Sequence, residues 1–123
     1  MTNILVIDDN ESVSKLLKKI LKEEGYKVDT EVSGRPALKA IKKKGYEVVL
    51  LEIKLPDISG LTIIEHIKKI DPNIIVIMIA GHSSINNAIE ALNKGADGYI
   101  CKPIKLEELI FTIENKLKQL KKI

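Results

Sequence analysis

Two hydrophobic periods alternate along this chain from one end to the other, and that alternation leaves few folds open. Ile4-Leu5-Val6-Ile7 is a short unbroken apolar run, the pattern of a strand covered on both faces. Val13, Leu16, Leu17, Ile20 and Leu21 then recur at helical spacing, and Gly25 stands where a helix C-terminus turns left-handed. Tyr26 to Thr30 reads as a short strand, more polar than the first and so nearer an edge. Ser33 is placed to cap a second helix, with Pro36 early in it and Gly45 past its end. Tyr46 to Leu51 is the third predicted strand. Gly60 opens a helix with Leu61, Ile64, Ile67 and Ile70 along its inner face, and Pro72 ends it. Ile74 to Ile79 is the fourth and most apolar strand. Ser84 is placed to cap a helix carrying Ile85, Ala88, Ile89 and Leu92, closed by Gly95. Tyr99-Ile100-Cys101 is the fifth strand, with Cys101 as a small core residue. Leu106 to Leu120 is the last helix, with Leu106, Leu109, Ile110, Ile113, Leu117 and Leu120 on one stripe.

Five strand–helix units in succession imply a parallel sheet with helices on both faces and right-handed crossovers. The least polar strands, one, three and four, belong in the centre, and strand two at the periphery. An α/β, flavodoxin-like three-layer sandwich with strand order 2-1-3-4-5 satisfies that ranking. The 123 residues suit a single domain, 1–123. In that order the chain reverses its direction of winding between strands one and three, and ligands bind at the carboxyl ends there. Asp8, Asp9 and Glu52 occupy those two ends, and Lys102 follows the last strand.

Composition narrows the function classes. Hydrophobic residues make up 45% and charged residues 30%, enough for a core under a well-solvated surface. No apolar run approaches the roughly 18 residues of a membrane span. The first residues enter a strand without a basic segment, unlike a secretory leader. One cysteine permits no internal disulfide, so the reading is cytoplasmic. The net charge of +3 is dispersed, which argues against direct nucleic-acid binding by this domain. Lys42-Lys43-Lys44 and the C-terminal lysines 116, 118, 121 and 122 read as solvated helix faces.

Clustered carboxylates repel one another and need compensation. Magnesium is a natural partner, since it takes oxygen ligands, keeps several waters and needs only one or two carboxylates. An Asp-Asp pair alone is also compatible with plain helix capping by Asp9 or Asn10. The Asp8-Asp9-Asn10-Glu11 stretch is wrong for two enzyme alternatives on the same fold. A haloacid-dehalogenase-type phosphatase wants Asp-x-Asp there, and a flavin carrier wants a Ser/Thr/Gly-rich phosphate loop. Asp57, after Pro56, reads as turn chemistry. His66 and His82 have no cysteine or second histidine at ligand spacing and read as exposed or loop residues.

Val6-Ile7-Asp8-Asp9, the Leu-Pro-Asp-x-x-Gly loop from Leu55 to Gly60, Gly81-His82 after the fourth strand, and Gly95-Ala96-Asp97-Gly98-Tyr99-Ile100-Cys101-Lys102-Pro103 form an ordered set. With it the chain resembles the receiver domain of two-component response regulators along nearly its whole length, and within that family the receivers that precede enhancer-binding transcription activators. The resemblance implies a signalling module rather than a true enzyme. It implies metal binding by Asp8, Asp9 and the backbone carbonyl of Lys54, with Glu52 also able to help hold Mg²⁺ or to fold over to Lys102. Lys102 matches the lysine that contacts the phosphoryl group, and its bond to Pro103 is usually cis in the family. Tyr99 matches the aromatic that turns in or out with the switch. The implied partners are a histidine kinase or phosphotransfer protein, and a downstream effector or a second copy docking on the last two helices and strand five.

Two positions depart from the family. Glu52 stands where the phosphoacceptor aspartate belongs, and Ala80 where a Thr or Ser hydroxyl normally meets the phosphoryl oxygen. One reading is a receiver whose phosphorylation is lost or weakened, with Glu52 a partial mimic of a phosphorylated aspartate. The other is a conventional receiver phosphorylated in a Mg²⁺-dependent reaction that tolerates glutamate.

Overall fold

The computed structural model describes residues 1–81 and 85–121. His82 and Ser84, with the loop and capping roles expected of them, lie outside the described residues. The elements run β1 (Asn3–Ile7), α1 (Glu11–Glu23), β2 (Lys27–Glu31), α2 (Gly34–Lys43), β3 (Val48–Glu52), α3 (Gly60–Ile70), β4 (Ile75–Ala80), α4 (Ile85–Asn93), β5 (Gly98–Cys101) and α5 (Leu106–Lys121). All strand pairs are parallel, in the order β2-β1-β3-β4-β5. This is the flavodoxin-like arrangement anticipated from strand polarity.

Alternate side chains of each strand feed two cores. Leu5, Ile7, Val49, Leu51, Val76 and Met78 pack under α2, α3 and α4. Ile4, Val6, Leu50, Ile77 and Ile79 pack under α1 and α5, chiefly against Leu17, Leu21, Leu109 and Ile113. The second, third and fourth strands start one or two residues later than predicted, because Tyr26, Tyr46 and Ile74 are apolar without pairing in the sheet. Tyr46 and Ile74 are buried as lids over the first core. Apolarity reports their burial, not ladder hydrogen bonding.

Several local expectations are corrected. Ser33 occupies the N-cap position of α2 but makes no side-chain cap bond. Gly25 and Gly95 do turn left-handed, at φ +96° and +111°, whereas Gly45 does not, because α2 ends in an extended residue, Lys44. Cys101 is exposed rather than in the core. On α3, Ile63 joins Ile64 and Ile67 as a buried residue, while Leu61 and Ile70 are only half-buried.

The apolar residues of α4 lie mostly outward: Ile85, Ile89 and Leu92 are 79%, 52% and 52% exposed. Ala91 is the buried residue of the helix. Phe111 on α5 is exposed as well. The edge strand β5 lies between these two helices, so this end of the sandwich carries apolar side chains that no described residue covers. Hydrophobic spacing marks a face that some surface should bury, without saying whether that surface belongs to the same molecule.

Candidate functional site

The site is assembled by strand register. Ile7 pairs with Leu51, so the next residues, Asp8 and Glu52, emerge side by side at the carboxyl edge of the sheet. Ala80 pairs with Cys101, and the Lys102 amide donates to the Ala80 carbonyl at 2.8 Å, which carries Lys102 to the same edge. The Lys102–Pro103 peptide is cis. The Lys102 Nζ sits between the two acids, 3.0 Å from Asp8 Oδ2 and 3.0 Å from Glu52 Oε1.

Both carboxylates are nearly dry. Asp8 is 2% exposed and Glu52 8%. Each uses its second oxygen on backbone. Asp8 Oδ1 accepts from the Asn10 amide at 2.9 Å, and Glu52 Oε2 accepts from the Ile53 amide at 2.9 Å. Burial pushes the Lys102 ammonium down, but the hydrogen bonds from it to Asp8 and Glu52 outweigh burial, and its pKa is raised. The three groups therefore form a charge-assisted triad with net charge −1.

Around the triad opens a cleft of about 780 Å³, lined among others by Asp9, Glu52, Lys54, Ala80, Asn87 and Lys102. Asp9 is exposed at its rim. Asn10 caps α1, its side chain accepting from the Val13 amide at 3.2 Å, so the capping role weighed for Asp9 or Asn10 falls to Asn10. The structure thus brings Glu52, Lys102, Asp9, Lys54 and Ala80 to one cleft, with Asp8 just beneath. Tyr99 is not on the cleft wall. It is half-buried against the core under α2, α3 and α4, and its hydroxyl is buried with no hydrogen-bond partner among the described residues. Burial, then the nearby Cys101 and Glu52, raises its pKa.

Among the described residues, no three acidic, histidine or cysteine side chains converge closely enough to cage a metal ion. The donors present are hard oxygens, and they suit a cation that takes one or two carboxylates and keeps its waters. That fits Mg²⁺ in kind, with the Lys102 ammonium as its competitor for Asp8 and Glu52.

Two features escaped sequence reading. Asp57 is more than turn chemistry, for it reaches across to α2 and accepts from the Gly34 and Arg35 amides, each at 2.8 Å. It supplies the cap that Ser33 does not, and it ties the β3–α3 loop carrying Lys54 to a helix. The backbone bonds from Arg35 and Gly34 lower its pKa. The other end of that loop is closed by the Gly60 amide, 2.8 Å from the Ile53 carbonyl. A Cβ on Gly60 would lie 2.2 Å from the Glu52 carbonyl oxygen, so only glycine fits there. The second feature is Asn87, whose place in the cleft follows from the rotation of α4. The signal for Asp57, an acid 23 residues from a helix start, has no local periodicity to reveal it.

Comparison with known proteins agrees with this geometry. Residues 4–114 match the response regulator receiver domain family. The chain is 35% identical over 117 residues to the uncharacterized transcriptional regulatory protein YkoG of Bacillus subtilis, covering 95% of this chain and 51% of that protein. It therefore spans about half the length of that relative, and about a quarter of others such as ZraR of Escherichia coli. Among solved structures, a CheY-like receiver domain protein from Methanospirillum hungatei JF-1 superposes with a TM-score of 0.96 at 34% identity, over 99% of this chain and 98% of that one. The beryllofluoride-activated NtrC4 receiver domain dimer gives 0.93 at 38% identity, over 98% and 99%. On these grounds, with the acid pair, the strand order and the lysine after the fifth strand already in place, this chain belongs to the receiver domain family of two-component response regulators.

Proposed function

We propose that residues 1–123 act as one receiver domain that signals by protein contact, with phosphoryl transfer at position 52 lost or much weakened. The observation that carries this reading is the state of Glu52. Its two oxygens are both engaged, one by Lys102 and one by the Ile53 amide.

Phosphorylation requires a carboxylate oxygen at position 52 to attack phosphorus while the bond from phosphorus to the donor's imidazole nitrogen breaks. Glutamate offers the right group on an arm one methylene too long. A displacement of about 1 Å can cost on the order of 100-fold in rate. The longer arm also carries the carboxylate to the lysine that would otherwise contact the phosphoryl group. Glu52 then mimics a phosphorylated aspartate in part, bringing one negative charge where a phosphoryl group brings about 1.5 to 2. Ala80 weakens the readout. A hydrogen bond to a charged acceptor is worth roughly 1.5–3 kcal/mol, comparable to the gap between two switch states.

Asp8, Asp9 and the Lys54 carbonyl are the groups that would hold Mg²⁺, and the ion would shield the charge of an incoming phosphoryl group. The chain's own residues do the rest: Lys102 neutralises the acids, and Asp57 holds the loop that presents Lys54. The partners follow from the family and from the exposed residues Ile85, Ile89, Leu92 and Phe111. They are a histidine kinase or phosphotransfer protein at the cleft, and an effector or a second copy over α4, β5 and α5.

Incubation with acetyl phosphate and Mg²⁺, read by intact mass, tests the proposal. The protein as it stands should stay unmodified over a period in which Glu52→Asp gains one phosphoryl group. Rapid stoichiometric modification of Glu52 would return the chain to the conventional, phosphorylated receivers.

A further inference from the structure

We propose that the Asn10 carboxamide binds an oxygen of the phosphoryl group, or of an anion that imitates it, from the α1 side of the cleft. This rests on the reading of the cleft as a phosphoryl site and adds a binding residue to it.

Asn10 is held at two points. Its backbone amide donates to Asp8 Oδ1 at 2.9 Å, which seats it just beyond the carboxyl end of β1. Its side-chain oxygen accepts from the Val13 amide at 3.2 Å, which caps the first turn of α1. A backbone N–H can only donate, so the atom facing Val13 must be the oxygen of the carboxamide. The nitrogen is thereby turned away from Val13, and it has no hydrogen-bond partner among the described residues. Asn10 lines the same cleft as Glu52 and Lys102. The cap fixes the side chain before any ligand arrives, so an anion binding there has little left to order.

The other side-chain donors of the cleft are committed, mobile or absent. Lys102 divides its ammonium between Asp8 and Glu52. Asn87 is already engaged in an interaction of its own. On the β4 side, Ala80 and Gly81 carry no side-chain donor. Lys54 is exposed, and its ammonium rides on a flexible four-carbon stem that an anion would have to immobilise. The α1 side of the wall is formed by Asp9 and Asn10. Asp9 repels an anion, and Glu11 in the first turn of α1 adds to that charge. Mg²⁺ held by the acids would offset the repulsion, but a cation has no hydrogen to give. Asn10 offers a directed N–H, and a hydrogen bond to an anionic oxygen is stronger than a neutral one. An occupant is then gripped from the end of β5 by Lys102 and from the start of α1 by Asn10.

The test uses beryllofluoride with Mg²⁺ as the phosphoryl mimic on Glu52→Asp protein, followed by NMR. On binding, the side-chain NH₂ resonances of Asn10 should shift and exchange more slowly with water. Asn10→Ser is the decisive addition, because serine caps a helix about as well as asparagine but lacks a carboxamide. It should keep the Tm of Glu52→Asp and bind beryllofluoride about tenfold more weakly. Asn10→Ala loses the cap as well, so it should bind as weakly as Asn10→Ser and melt earlier. A purely structural role predicts a different pattern, in which affinity follows Tm and only the variant that melts earlier binds poorly. That pattern, or Asn10 NH₂ resonances unmoved at saturating beryllofluoride, would overturn the inference alone. No beryllofluoride binding by Glu52→Asp would overturn the reading of the cleft and the inference with it.

Discussion

Replacing Lys102 by methionine removes the ammonium from between Asp8 and Glu52 while keeping most of the side chain's length. At 3.0 Å and an effective dielectric of about 20, each ion pair is worth roughly 5 kcal/mol of gross Coulomb attraction. Desolvation of the lysine offsets much of this. Removing one partner of a buried pair costs about 3–5 kcal/mol, because the remaining charge is left uncompensated. The Lys102 side chain keeps 22% exposure, which places the effect at the lower end, about 3 kcal/mol. For a domain of this size that corresponds to a fall in Tm on the order of 10 °C. Urea denaturation of the two proteins side by side, without Mg²⁺, measures it. The double variant Lys102→Met/Glu52→Gln should recover part of the loss, because it removes one of the stranded charges. Added Mg²⁺ should stabilise Lys102→Met more than the parent, since the competitor has gone. The lysine pKa is raised in the folded protein, so its contribution is complete below the unfolded value near 10.4 and is lost as pH climbs through the folded value. The difference between parent and variant should stay constant from about pH 7 to 10 and shrink above. A Lys102→Met protein within about 0.5 kcal/mol of the parent at neutral pH would refute the triad as a stabilising unit.

Other consequences are as direct. Asp57→Ala should lower Tm and broaden the amide resonances of Lys54, Gly34 and Arg35. The Asp57 pKa is lowered, so its contribution is present above the unfolded value near 4 and is lost as pH falls through the folded one, and the variant should approach the parent only in acid. Gly60→Ala puts a methyl against the Glu52 carbonyl, and overpacking against backbone should destabilise by about 1–3 kcal/mol in thermal unfolding, against the intrinsic preference of a helix for alanine. Ile89→Lys on the outer face of α4 should leave stability within about 0.5 kcal/mol, while reducing self-association in sedimentation velocity. A large stability loss would mean that this face is covered within the molecule.

The alternation of apolar runs and helical stripes was enough to settle the sheet. Strands one, three and four are the least polar because helices cover both their faces, and that ranking leaves one economical order. The acids of β1 and β3 had to meet because adjacent parallel strands end at the same edge. Asp8, Asp9, Glu52 and Lys102 were therefore legible as a group before any coordinate. Distances were not. That Lys102 bridges Asp8 and Glu52, leaving each its second oxygen for a backbone amide, depends on side-chain reach within about 3 Å, which spacing along a chain does not encode. That Asp57 caps a helix beginning at Gly34 depends on two loops meeting across the top of the sheet. The face that α4 turns outward was not legible either. Its apolar spacing is real, but periodicity reports only that a surface wants burial, and here the fold turns Ile85, Ile89 and Leu92 outward and places Asn87 at the cleft. Local pattern determined which elements form and in what order they pack, because burial on two faces leaves its mark on every strand. Tertiary structure alone decided which charges touch and which helix face is left exposed, because those depend on contacts between residues far apart in the chain.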